Sequence, residues 1–180
     1  METGELAVVL VLAAALVAGC AGWVRRAAWV AAPLAVLGLA LAAGLAAASE
    51  RVTVDGRPQT ALLVVLAGAL AVSGGGPVTS RVFALVDGRA RSTHPGLMRR
   101  AGEVLRGGAW IGVLERAAVF ATLVAGWPEG LAIVLGLKGL GRYPELRTQE
   151  RTGAAERFII GTFTSVLWAA ACAGLVRLLV

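Results

Sequence analysis

The sequence predicts an all-α protein, a polytopic bundle of transmembrane helices with about five to six membrane-crossing segments and a short interfacial amphipathic helix. Of its 180 residues, 58% are hydrophobic and 16% are charged, whereas soluble domains carry about 25% charged residues. Long uncharged runs occupy residues 6–24, 27–48 and 158–176. A crossing helix needs about 20 apolar residues, so these runs are long enough. Because only helices and closed barrels satisfy the backbone in lipid, continuous runs rich in Ala and Leu favour helices.

The N-terminal part of the chain, residues 1–86, is predicted to contain three crossings. The first covers residues 5–24 and ends at a basic turn. The second covers residues 27–48 and is followed by a polar loop over residues 49–60. The third crossing begins at residue 61 and its apolar character ends at residue 86.

The third crossing contains a run of helix-disrupting residues, Gly74, Gly75, Gly76 and Pro77. Because glycine and proline disrupt helices, this run predicts a broken helix that completes its crossing near Arg81. Transporters place substrate and ion sites at such breaks, where protein or water covers the irregular backbone. The break is therefore a candidate site, and a helix end near the membrane surface is the alternative.

Residues 87–108 are predicted to be a basic cytoplasmic loop that contains an interfacial helix. Its apolar residues fall on one helical face: Leu97, Met98, Ala101, Val104 and Leu105. Its charged residues fall on the other: Arg99, Arg100, Glu103 and Arg106. That division is typical of a short helix lying in the headgroup region.

Residues 109–180 are predicted to form a helical hairpin and a last span, which completes a single transmembrane domain over residues 1–180. The hairpin pairs a span over residues 109–126 with a short return helix over residues 131–140, and a mixed-charge loop follows. The last span, residues 158–180, carries small residues at four-residue spacing: Gly161, Ser165, Ala169 and Ala173. Gly108 and Gly112 repeat this spacing. Small residues let helices approach closely, which predicts packing within the chain or a homodimer seam.

The hairpin also brings charge into the bilayer, where ionisable residues are costly and usually face protein or water. Glu115 lies roughly 16 Å from the hairpin turn, while Lys138 and Arg142 lie roughly 12 Å and 18 Å from it on the return helix. These depths predict a charge cluster of Glu115, Arg116, Lys138 and Arg142. An ion-pair lock is the favoured interpretation, and a proton, ion or phosphate-headgroup site is the alternative.

Basic residues predict the orientation. With the N-terminus outside, the cytoplasmic segments hold Arg25, Arg26, Arg81, Arg89, Arg91, Arg99, Arg100, Arg106, Lys138, Arg142, Arg147, Arg151 and Arg157. The opposite loops hold only Arg51 and Arg57. The positive-inside rule therefore predicts a multi-pass protein of a plasma (cytoplasmic, or bacterial inner) membrane with both termini outside. The net charge of +6 is then expected to meet anionic lipid headgroups and not nucleic acid.

Three segments of the C-terminal half carry a family resemblance: Ile-Gly-Val-Leu-Glu-Arg at residues 111–116, Leu-Lys-Gly-Leu-Gly-Arg-Tyr-Pro-Glu-Leu at residues 137–146, and Ala-Glu-Arg-Phe-Ile-Ile-Gly-Thr at residues 155–162. Over residues 108–175 the chain resembles actinobacterial-type membrane proteins that share the C-terminal membrane segment of a domain-of-unknown-function family. Those proteins often have Ala-Ala-Lys-Ser where this chain has Gly-Leu-Lys-Gly at residues 136–139. The resemblance implies no activity, but it singles out the same four charged residues.

No catalytic, metal or cofactor motif is predicted. The glycine-rich residues 136–141 match neither a phosphate-binding loop nor a dinucleotide fingerprint, and His94 is the single histidine. The favoured function is therefore a structural, accessory or interaction subunit, with a membrane-protein partner or a second copy as its partner. The alternatives are a small transporter or channel that uses the helix break and the charge cluster, and a membrane enzyme acting on a phosphate-bearing lipid.

Overall fold

The computed structural model describes residues 3–24, 28–48, 56–90, 108–148 and 154–180. Within these residues the chain forms six helices and no strand. The helices are α1 Thr3–Ala21, α2 Ala28–Ala48, α3 Arg57–Ala90, α4 Gly108–Val124, α5 Glu129–Thr148 and α6 Ala154–Leu179. The predicted all-helical fold is confirmed.

Four helices are long and apolar enough to cross a membrane, at Gly4–Ala21, Trp29–Ala48, Arg57–Asp87 and Ala155–Leu179. Large apolar side chains also cover the outside of the bundle. Val17, Leu37, Val65 and Leu167, on four different helices, are each between 62% and 68% exposed. A helix that is apolar on all sides suits a protein core or a lipid environment. The fold is therefore compatible with a membrane-embedded protein.

Helix α3 lies at the centre of the bundle, where it packs against α1, α2, α4 and α6. It runs antiparallel to α6, because Trp168 bonds to the Leu70 carbonyl while Arg157 bonds to Asp87. The end of α1 lies beside the middle of α3, since Trp23 bonds to the Ser73 carbonyl and a Cβ at Gly22 would meet Pro77. The ends of α3 and α5 and the beginnings of α4 and α6 share one end of the bundle, toward which α1 also runs, and we call it the Asp87 end.

The prediction of a helix break at Gly74, Gly75, Gly76 and Pro77 is wrong, because α3 continues through all four residues. Proline lacks the N–H that would bond to the carbonyl four residues earlier, so Pro77 leaves the Ser73 carbonyl without its helical donor. The indole N–H of Trp23, in the turn that follows α1, donates to that oxygen at 3.0 Å. A side chain from outside α3 thus supplies the bond that proline removes.

The three glycines admit neighbouring side chains to the surface of α3. A Cβ at Gly74 would lie 2.7 Å from the Trp168 ring, and one at Gly75 would collide with the Arg116 side chain. The described glycines with positive φ are instead Gly56 and Gly126, outside this run. Glycines 74–76 therefore serve helix packing and not a change of backbone direction, which is why reading them as helix breakers failed.

Two helix ends also differ from the prediction. Helix α3 extends to Ala90 instead of ending at residue 86, and α5 extends to Thr148 instead of ending at residue 140. Gly139 and Gly141 do not terminate α5, since neither adopts a positive φ. The predicted amphipathic helix falls on residues 97–106, which lie outside the described residues.

We predict that Gly74→Ala destabilises the bundle, because the added methyl group must displace the Trp168 ring. Overpacking of this kind costs about 1–3 kcal/mol of unfolding free energy. Gly136→Ala on α5 is the matched control, since its methyl group meets nothing within 4 Å. Thermal unfolding in detergent should therefore show a lower midpoint for the first variant and an equal or higher one for the second. Equal midpoints would contradict the assigned role of Gly74.

A second prediction concerns the carbonyl that Pro77 leaves without a helical donor. Trp23→Phe removes the donor to the Ser73 oxygen, which should cost about 0.5–1.5 kcal/mol of unfolding free energy. Pro77→Ala restores a backbone N–H at position 77, so Trp23→Phe should cost less in that background. A double-mutant cycle measures the difference. Equal costs in the two backgrounds would show that the indole bond does not compensate for the proline.

Candidate functional site

A cavity of about 580 Å³ lies near the Asp87 end of the bundle, between α3, α4, α5 and α6 and beside the end of α1. Four cations line it, and we call it the basic cavity: Arg116, Lys138, Arg142 and Arg157. One carboxylate among the described residues also lines it, that of Glu115. Hydroxyl groups come from Thr79, Ser80, Thr162 and Ser165. The cavity therefore combines positive charge with several neutral hydrogen-bonding groups.

Arg116 is the most buried charged residue of this cavity, with 5% of its surface exposed. Its Nε donates to the Val72 carbonyl at 3.1 Å, and its Nη1 donates to the Ser165 hydroxyl at 3.3 Å. Both acceptors are neutral. Gly75 and Gly112 make room for the side chain, because a Cβ at either position would crowd it.

Arg116 retains donors for a further group. A guanidinium has five N–H donors, and the two bonds to Val72 and Ser165 leave Nη2 without an acceptor among the described residues. Ser165 accepts a bond from Arg116, so its own hydroxyl hydrogen is available to donate. Both residues line the basic cavity. Together they present donors to whatever occupies it.

Glu115 and Lys138 form an ion pair that joins α4 to α5, as the depth of both residues in the predicted hairpin led us to expect. Their side chains are 14% and 16% exposed. The pair uses one carboxylate oxygen, and the other, Oε1, is buried with no hydrogen-bond partner among the described residues. Lys138 also lies 5.8 Å from the centre of the Phe158 ring on α6.

A second ion pair closes the Asp87 end and was not predicted. Arg157 donates from both terminal nitrogens to the two carboxylate oxygens of Asp87, at 2.9 and 3.0 Å. The same guanidinium lies 4.6 Å from the centre of the Phe83 ring. Asp87 and Arg157 are 70 residues apart and were both assigned to loops, so local sequence offered no sign of this pair.

The structure brings the four predicted charged residues to one cavity, but they do not form a single ion-pair network. Glu115 pairs with Lys138, whereas Arg116 bonds to a backbone carbonyl and a serine hydroxyl. Arg142 lines the same cavity. Ser165 was predicted to serve helix packing, and its bond to Arg116 was not predicted.

The predicted small-residue face of α6 points into the bundle. Ser165, Ala169 and Ala173 are buried, and Gly161 faces Phe83 of α3. On α4, Gly112 faces the Arg116 guanidinium, and Gly108 is the first residue of the helix. These residues of α6 are covered within the chain, which leaves that face unavailable for a homodimer seam.

Comparisons of the chain with protein-family models, with curated proteins and with solved structures found no match. The resemblance over residues 108–175 therefore stays a prediction, and the site is interpreted from its own geometry.

We predict that Glu115→Gln strongly destabilises the protein, because it leaves the Lys138 ammonium buried without its counter-charge. Removing one partner of a buried pair costs about 3 kcal/mol of unfolding free energy. Adding Lys138→Met should recover most of that loss, since an apolar side chain of similar length replaces the unpaired charge. Glu129→Gln, at an exposed position in the first turn of α5, is the control. A double variant as unstable as Glu115→Gln alone would contradict this interpretation.

Proposed function

We propose that this protein is a multi-pass accessory protein of a cytoplasmic membrane that binds a phosphate-bearing anionic group in the basic cavity. One observation carries the proposal. Arg116 is almost fully buried, its hydrogen-bond partners are neutral, and it lines a cavity with three further cations. Burying a charge is costly unless it is paired and hydrogen-bonded. The neighbouring Glu115 attracts Arg116 electrostatically but accepts its hydrogen bond from Lys138, so a bound anion would add the hydrogen-bonded counter-charge that Arg116 lacks among the described residues.

Phosphate suits the donors that face the cavity. A guanidinium is planar and binds carboxylates and phosphates through two parallel N–H bonds. The Nη2 group of Arg116 and the hydroxyl of Ser165 would contact phosphate oxygens, while Arg142, Lys138 and Arg157 would contribute longer-range attraction. Oxygen acceptors of this kind would satisfy donors that otherwise have no partner among the described residues.

The proposed placement in the membrane has six crossings, with the Asp87 end at the cytoplasmic side. Two observations support it. Side-chain contacts show that α4 and α6 run antiparallel to α3 and that α5 runs antiparallel to α4. Among the described basic residues, Arg81, Lys138, Arg142 and Arg157 lie toward the Asp87 end, whereas Arg57 and Arg177 lie at the opposite ends of α3 and α6. Glu115 lies seven residues into α4, or about 10 Å from its start. The cavity would then lie at the depth of the headgroups and upper acyl chains of the cytoplasmic leaflet.

The geometry favours binding over transport or catalysis. The transport hypothesis needed an unwound segment at residues 74–77, and α3 is helical there. A catalytic role would need an acid, base or nucleophile held against the ligand, and the carboxylate that lines the cavity is already paired with Lys138. An anchoring or sensing role for an anionic headgroup requires only the donors described above.

The test is anion binding by the purified protein in a neutral detergent. Dioctanoyl phosphatidic acid and inorganic phosphate are the anionic probes, and dioctanoylglycerol is the neutral control. Native mass spectrometry should show binding of phosphate-bearing probes to the parent protein. Arg116→Gln should weaken that binding at least about tenfold, as expected for loss of a charge-assisted hydrogen bond from Nη2 together with its positive charge.

Two further variants make the result decisive. Ser165→Ala removes one hydroxyl without changing the charge, and it should weaken binding less than Arg116→Gln does. It also keeps the test usable if Arg116→Gln folds poorly. Arg177→Gln is the control, because Arg177 is exposed in the last turn of α6, away from the Asp87 end. Unchanged affinity in both Arg116→Gln and Ser165→Ala, or no binding by the parent protein, would refute the proposal.

A further inference from the structure

Resting on the proposed function, we infer that the ligand is a lipid with a terminal phosphomonoester or diphosphate, held with its headgroup in the basic cavity and its chain between α5 and α6. Three independent observations support this identification: the charge that lines the cavity, the volume of the cavity and its apolar walls, and the sparse contact between α5 and α6.

The charge of the lining favours a ligand with more than one negative charge. Among the described residues, four cations and one carboxylate line the cavity, and Asp87 lies behind one of the cations in its pair with Arg157. A phosphodiester carries a single negative charge, whereas a phosphomonoester carries about −1.5 to −2 at neutral pH. A terminal phosphomonoester or a diphosphate therefore matches this lining better than a diester headgroup does.

The size and walls of the cavity favour an organic ligand over a free anion. Its volume of about 580 Å³ lies within the range of about 300–1,000 Å³ that is typical of sites for drug-sized molecules. Phe83, Ile111 and Phe158 contribute apolar surface beside the charged groups. Inorganic phosphate would leave most of this space and all of this apolar surface unused. A headgroup that continues into a hydrocarbon chain would contact both parts of the wall.

The sparse contact between α5 and α6 offers the hydrocarbon chain of the lipid a route out of the cavity. Helix α5 packs along α4 and has no comparably extended contact with α3 or α6 in the described part of the chain. The Lys138 ammonium above the Phe158 ring marks where α5 approaches α6. Leu137, which lies about 100° around α5 from Lys138, is 66% exposed. A hydrocarbon chain passing Phe158 would therefore reach an apolar surface immediately outside the cavity.

Three probes test the charge and the chains of the ligand separately. Dioctanoyl phosphatidic acid carries a phosphomonoester and two chains, dioctanoyl phosphatidylmethanol carries a phosphodiester with little added bulk and the same chains, and glycerol 3-phosphate carries the phosphomonoester alone. We expect the parent protein to bind the first at least about tenfold more tightly than either of the others, a ratio that corresponds to about 1.4 kcal/mol. Native mass spectrometry at matched detergent concentration gives the three dissociation constants.

Two substitutions test which residues give the preference for a phosphomonoester and the preference for hydrocarbon chains. Arg142→Gln should reduce the ratio between the phosphomonoester and phosphodiester lipids, because it removes a cation from the lining. Its control is Arg81→Gln, since Arg81 lies over the Trp29 ring and outside the lining.

Phe158→Ala should weaken binding of both lipids but not of glycerol 3-phosphate. Its control is Phe163→Ala, at an exposed position on the same helix.

The outcomes distinguish failure of this inference from failure of the proposed function. Equal affinity for the two lipids would overturn the charge assignment, and equal affinity for phosphatidic acid and glycerol 3-phosphate would overturn the lipid assignment. Either result would leave an anion site at Arg116 intact. Absence of binding by all three probes would instead refute the proposed function.

Discussion

The Arg116 guanidinium reaches from α4 onto the backbone of α3 because Gly75 has no side chain to hold it away, and the rest of the Asp87 end is arranged around that contact. Its Nε bond to the Val72 carbonyl fixes α4 against α3, and its Nη1 bond to Ser165 adds α6. The guanidinium is thereby held at the inner wall of the basic cavity. A single cation both joins three helices and orients the donors that define the site.

The same stretch of α3 accepts hydrogen bonds from three other parts of the chain. The carbonyls of Leu70, Val72 and Ser73 receive bonds from Trp168 on α6, Arg116 on α4 and Trp23 in the turn after α1. Side-chain donors can reach a helix backbone where the intervening side chains are small, which the glycine run provides. In a low-dielectric environment these bonds are stronger than in water, so they help to hold together helices that otherwise pack through apolar side chains.

The helices and the Glu115–Lys138 pair could be predicted because each depends on local patterns. Hydrophobic runs of sufficient length define helices, and equal distances from a tight turn bring two charges together across a hairpin. The partners of Arg116 and the Asp87–Arg157 pair could not be predicted in this way. They depend on how α3, α4 and α6 pack, and a backbone carbonyl as acceptor has no signature in sequence. Gly-Gly-Gly-Pro was misread because the glycines meet side chains of distant residues and the carbonyl that Pro77 leaves without a donor is bonded by Trp23, 54 residues away.

The uninterrupted course of α3 has a geometric consequence for the surrounding bilayer. Its 34 residues span about 51 Å at about 1.5 Å per residue, well beyond a hydrocarbon thickness of about 30 Å. An upright α3 would project several turns into water, whereas a tilted one would shorten its apolar span along the bilayer normal. Because α1, α2, α4 and α6 all pack on α3, its inclination would set theirs. In the proposed membrane placement, the length of α3 would therefore make the tilt of the bundle depend on bilayer thickness.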